Sequence, residues 1–161
     1  MAQILSLLDA PLIWQDSGGS AVITLNNLAA NVGRVGARID RGLGLLPRWY
    51  VLQGKFEKGV AGVVGQIITV GLFLSDGTNV DGNVGVADAA LTATQMLACH
   101  DRPFEIVVTT ISTDTPIVQS KLIEIPPMRY ISVGVINSVT GLLRATANAC
   151  RIALFPYHDE V

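Results

Sequence analysis

The chain has 161 residues, half of them hydrophobic and 15% charged, with a formal net charge of −2. That length buries about two-thirds of the unfolded surface, so a core forms without disulfides or metals. The composition excludes a disordered chain, and the charge excludes a global basic field for nucleic acid or an anionic membrane. Sixteen Gly, seven Pro and many Val, Ile and Thr favour strands and turns.

The longest charge-free run, residues 59–75, is glycine-interrupted and shorter than the roughly 20 apolar residues of a spanning helix. The N-terminus lacks a basic lead and carries Asp9 inside its apolar stretch, so no signal peptide is expected. Cys99 and Cys150 are too few for a disulfide framework, and both thiols are expected to stay free.

Residues 1–20 form the first predicted unit. Leu5, Leu8, Leu12 and Trp14 are apolar, Pro11 breaks any helix, and Ser17-Gly18-Gly19-Ser20 resembles a hinge. Such a segment is either an ordinary first strand with its loop or an extended arm docking on a neighbour. The arm is the expectation adopted, with 21–161 as a single β-sandwich domain. Strands are then predicted over 21–25, 33–41 and 48–56. The segments 48–56 and 66–75 read as a hairpin around the Gly-rich stretch 57–65. A polar loop over 76–85 precedes the one good helix candidate, 87–97, with Asp88 near its start. Strands over 104–112, 117–125, 128–136 and 145–155 follow, separated by turn signals. About eight strands at this spacing predict an all-β sandwich or barrel.

Two of these strands are apolar on both faces. Residues 66–75 point Ile68, Val70, Leu72 and Leu74 one way and Ile67 and Phe73 the other, and 128–136 does the same. An antiparallel sandwich with a wet outer face alternates cleanly. The surplus is expected to be covered by the helix, the arm or other subunits, with oligomerisation preferred over cover by the chain's own loops.

The search for chemistry yields little. His100-Asp101 and His158-Asp159 could each orient a base, but no nucleophile elbow accompanies them. Cys99, His100, Cys150 and His158 match no common zinc spacing. The 76–85 loop fails the EF-hand pattern at its sixth and twelfth positions, which leaves only a looser calcium site. Arg34, Arg38, Arg41 and Arg48 suggest a nucleic-acid stripe, against the negative total charge. The glycine runs lack the context of a phosphate loop. Neither a cofactor nor a catalytic set is expected.

The motifs LLDAPLIWQDSGGS, PRWYVLQGKF, GQIITVGLFLSDGTNVDGN and IEIPPMRYISVGVIN, with a last strand ending FPYHDEV, resemble the capsid cement (decoration) proteins of tailed bacteriophages. The closest echo is Pro126-Pro127 ahead of Arg129-Tyr130. The resemblance implies a jelly-roll sandwich of about eight antiparallel strands with one short helix and an N-terminal arm, and no active site. It implies a homotrimer on the outside of a virion head, tying major capsid subunits together, with no nucleic acid or membrane partner. The segment 87–102 looks inserted relative to the plainest members. Interface residues are expected at the two apolar chain ends: Leu5, Leu8, Leu12, Trp14, Phe155, Tyr157 and Glu160. The alternatives are a host- or glycan-binding module of a tail or fibre, using Trp49 and Tyr50, and a small metal or thiol enzyme built on Cys99, His100 and Asp101.

Overall fold

The computed structural model describes residues 10–43, 46–113 and 115–157. Eleven strands and one short helix follow in the order β1 (Leu12–Gln15), β2 (Ala21–Val22), β3 (Val32–Val35), β4 (Ile39–Asp40), β5 (Trp49–Phe56), β6 (Ile67–Ser75), β7 (Ala89–Leu91), α1 (Ala93–Leu97), β8 (His100–Val107), β9 (Ile117–Glu124), β10 (Tyr130–Asn137) and β11 (Arg151–Tyr157).

They make two facing sheets. The first runs β2-β1-β11-β5-β9; the second runs β7-β3-β10-β6-β8, with β4 also on β10. Without β2, β4 and β7, eight strands remain, four to a sheet. The first strand pairs with the last, and connections swing between sheets. This is a jelly-roll sandwich. All pairings are antiparallel except β1 with β2.

The inner faces form the main core. Tyr50, Leu52 and Phe56 project inward from β5, Ile68 and Val70 from β6, Ile131 and Val133 from β10, and Ile152 and Leu154 from β11. Trp14 lies fully buried among them, and its indole N–H donates to the Ala37 carbonyl at 2.8 Å. Gly36 makes room for that ring: a Cβ there would lie 2.6 Å from the Trp14 ring.

The expected arm over 1–20 is therefore corrected for its described part. Leu12 to Gln15 pair along β11, and Trp14 fills the core; residues 1–9 lie outside the described residues. An indole this large, with a buried carbonyl to satisfy its N–H, gains more inside the sandwich than on a neighbour. The expected hairpin of 48–56 with 66–75 is also corrected. β5 and β6 belong to different sheets, and 57–66 crosses between them. The single strand over 33–41 breaks at 36–38, where Ala37 N–H bonds the Val22 carbonyl and Arg38 N–H the Val86 carbonyl.

The predicted helix over 87–97 shortens to 93–97. Asp88 does not serve the helix start. Its carboxylate accepts two bonds from Arg34 at 2.7 and 3.1 Å and one from Thr24 N–H, holding the backbone where residues 89–91 pair with β3. The helix starts instead at Thr92, in a reciprocal capping box with Gln95.

This segment answers the two-faced strands. Phe73 of β6 and Val35 of β3 point away from the main core into a second one, closed by Val84, Leu91 and Met96. Gly71 lets the cover approach, since a Cβ there would meet the Met96 sulfur at 2.5 Å. The outer apolar face of the second sheet around Val35 and Phe73 is thus covered by residues 80–99 of the same chain.

Trp14→Ala should lower the unfolding free energy by about 3–5 kcal/mol in a urea titration, the cost of a large core cavity. A loss under about 1 kcal/mol would show that β1 is not integral to the core.

Candidate docking face

The outer face of the first sheet has no cover among the described residues. The registers lay it out row by row. Trp49 stands between Tyr157 and Glu124, Val51 between Phe155 and Leu122, and Gln53 between Ala153 and Ser120. Alternation along β5 sends Trp49, Val51 and Gln53 outward while Tyr50 and Leu52 go in. Trp49 is 38% exposed, Tyr157 45% and Leu122 50%, with Phe155 and Val51 half-buried beside them. These side chains form one aromatic and aliphatic patch. Its rim is polar: the exposed Arg48–Glu124 pair at one edge, and Gln53 beside Ser120 at another. An apolar centre rich in Trp and Tyr within a polar rim is the anatomy of a protein interface.

The expected interface residues divide three ways. Phe155 and Tyr157 lie on this patch. Trp14 is fully buried in the main core, which removes it from any interface, and Leu12 pairs along β11 half-buried against that core. Leu5, Leu8 and Glu160 fall outside the described residues. A groove using both Trp49 and Tyr50 is excluded by strand alternation: Tyr50 is buried and its hydroxyl accepts from Arg41 at 3.0 Å. Trp49 instead neighbours Tyr157. Val51 and Leu122 were missed as face residues because only the cross-strand register reveals their company.

The arginine stripe dissolves into separate structural contacts. Arg34 clasps Asp88, and Arg48 pairs with Glu124. Arg38 stacks on Tyr130 at 4.5 Å, and Arg41 ties the carbonyls of Pro47, Pro126 and Met128 together. Arg129 grips Asp40 with two bonds, which holds that carboxyl down at about 2.

The chemical candidates are likewise engaged structurally. Asp76 accepts from the backbone amides of Thr78 and Asn79 at 2.7 Å and from the Asn79 side chain at 3.0 Å, while Asp81 accepts from Leu74 N–H. These carboxylates are taken up by backbone amides of the loop and of β6, not turned toward a common centre. Among the described residues no three His, Cys, Asp or Glu side chains group as a metal site. Asp101 sits at a positive φ of 59° and pairs with Lys121 at 3.6 Å. Burial raises the Cys99 thiol above its usual range, the opposite of what a nucleophilic thiolate needs. Cys99 and Cys150 are both free.

Comparison of the chain with protein-family models, with curated proteins and with solved structures finds no match.

Burial pushes the Cys150 thiol up to about 11, against 9.0 for a free thiol. Below pH about 9 the group is protonated in both folded and unfolded chains. Between there and pH 11 only the unfolded chain releases the proton, so folding stability falls across that window by about 2–3 kcal/mol. Urea titrations from pH 8 to 11 should show this alkaline loss reduced in Cys150→Ala. An identical pH slope in both proteins would contradict the assignment.

Proposed function

We propose that the protein is a non-enzymatic structural component of a tailed-phage virion: a homotrimer that binds the outside of the head and reinforces contacts between major capsid subunits. The observation that carries this reading is the uncovered patch of Trp49, Val51, Leu122, Phe155 and Tyr157 on a jelly-roll sheet. Water on such a surface is unfavourable by about 25 cal/mol per Å2, and association removes it. Three copies meeting around an axis beside this face would bury the patch in a closed assembly. The motif order that resembles the cement proteins supplies the biological setting. The sparse chemistry fits a protein that works by binding.

The second reading, a glycan-binding module, has one observation in its favour. Trp49 and Tyr157 place two exposed rings side by side, next to the Arg48–Glu124 pair. Rings flanked by polar groups suit a sugar as well as a protein.

Light scattering at micromolar concentration should give three times the 17.0 kDa chain mass. The double variant Trp49→Lys, Leu122→Lys should run as a monomer with an unchanged β-sheet circular dichroism spectrum. A monomeric parent protein whose Trp49 fluorescence responds to soluble oligosaccharides would favour the glycan module instead.

A further inference from the structure

Charges in this chain are mostly answered within it. Among the described residues, every Arg and Lys side chain but one donates to a carboxylate, a carbonyl or a hydroxyl of the same chain. The exception is Arg151 of β11, on the outer face of the first sheet. It has no hydrogen bond or ion pair, and its Nε is buried without a partner. The register sets Gln15 on one side of it and Lys55 on the other. A like charge directly opposite is unfavourable in a sheet, and the carboxylate that meets Lys55, Glu57, is shared with Arg144.

The described carboxylates have one exception too. Glu105 of β8 is exposed and has neither a hydrogen bond nor an ion pair, whereas the others are held by arginines, lysines or backbone amides. It lines a groove of about 720 Å3 with Thr69, Leu97, Phe104 and Ile136, and Leu97 there is 83% exposed. Lys121 of β9 also reaches the groove but pairs with Asp101 at 3.6 Å. β8 and β9 are edge strands, tied where the Gln119 side chain bonds both backbone groups of Val107 at 2.9 and 3.2 Å. Lined from both edge strands, the groove opens toward the side of the sandwich, not straight opposite the first sheet's outer face.

We propose that these two unanswered groups are partners between copies: Arg151, with Lys55 beside it, receives the Glu105 carboxylate of the next copy. The trimer is then joined head to tail, the first sheet's outer face of one copy against the groove along β8 of its neighbour. The inference rests on the trimer reading and supplies its contact. Charge complementarity selects a sister copy, since the chain leaves one cation and one carboxylate over and sets them on different sides. A contact between two unlike surfaces set at an angle closes into a ring. Two identical faces set together would instead bring two Arg151–Lys55 rows into one interface, a like-charge cost. A guanidinium fork fits a carboxylate with two parallel bonds. Val118, 49% exposed and opposite Lys55, adds an aliphatic group beside the pair. Phe155 lies four residues from Arg151, about 13 Å along β11. The charge pair therefore fixes the register in which the apolar patch meets the neighbour.

The test compares the full chain with Arg151→Glu, Glu105→Arg and the double variant, by light scattering over a dilution series. Each single reversal should weaken association about 100-fold, and the double variant should return to within about 10-fold of the parent. Arg151→Glu also relieves the like charge opposite Lys55. Its urea midpoint, measured where parent and variant are both monomers, should equal or exceed the parent's. A lower midpoint would make the guanidinium a structural group and overturn the inference. Unchanged association in either single variant would overturn it and leave the trimer reading standing. Two weakened single variants with no recovery in the double would overturn it as well, because the two groups would then act separately. A parent that is monomeric at every concentration would overturn the inference and the trimer reading together.

Discussion

A strand that is apolar on both faces needs two covers, and this molecule is organised around supplying the second one. β6 and β10 meet the first sheet on one side. On the other, Phe73 sits under Val84, Leu91 and Met96, which residues 80–99 carry back over the sheet. Asp88 holds that cover down through Arg34, and Thr92 and Gln95 cap the helix that delivers Met96. The chain thus closes over Phe73 itself, whereas the outer face of the first sheet keeps an exposed apolar patch at Trp49, Leu122 and Tyr157.

That distribution changes the physical case for assembly. Two-faced strands by themselves do not require sister copies, because the chain covers them alone. In the proposed assembly the drive to associate would come instead from strands with an ordinary inward and outward alternation, whose outward set is Trp49, Val51, Leu122, Phe155 and Tyr157. Charged groups are largely locked to other parts of the protein, such as Arg129 with Asp40 and Arg34 with Asp88. They shape and brace one end but leave no concentrated field. Binding by this protein would therefore depend on shape and apolar burial more than on steering.

The architecture was largely legible in the sequence, the partnerships much less so. Runs of β-branched and apolar side chains bounded by turn residues located 48–56, 66–75, 117–125 and 128–136 within a residue or two. The same pattern says nothing about which sheet a strand joins, so β5 and β6 read as a hairpin although the chain crosses between sheets. Helix-forming residues at 87–97 predicted a helix, but Asp88 found Arg34 fifty-four positions upstream in the chain, and tertiary contact overrode propensity. Trp14 looked like an arm residue because the Ala37 carbonyl and the space at Gly36 that receive it are remote in sequence. On the candidate face, Phe155 and Tyr157 were visible as apolar chain-end residues, whereas Val51 and Leu122 join them only through register.

The central claim is that the first sheet's outer face is covered by association and the second sheet's by the chain itself. Hydroxyl-radical footprinting across a dilution series tests both halves in one experiment. Trp49 and Tyr157 should be protected at high concentration and become labelled on dilution, while Phe73 and Met96 stay protected throughout. Labelling of Trp49 and Tyr157 at every concentration, or of Phe73 and Met96 in the folded protein, would contradict it.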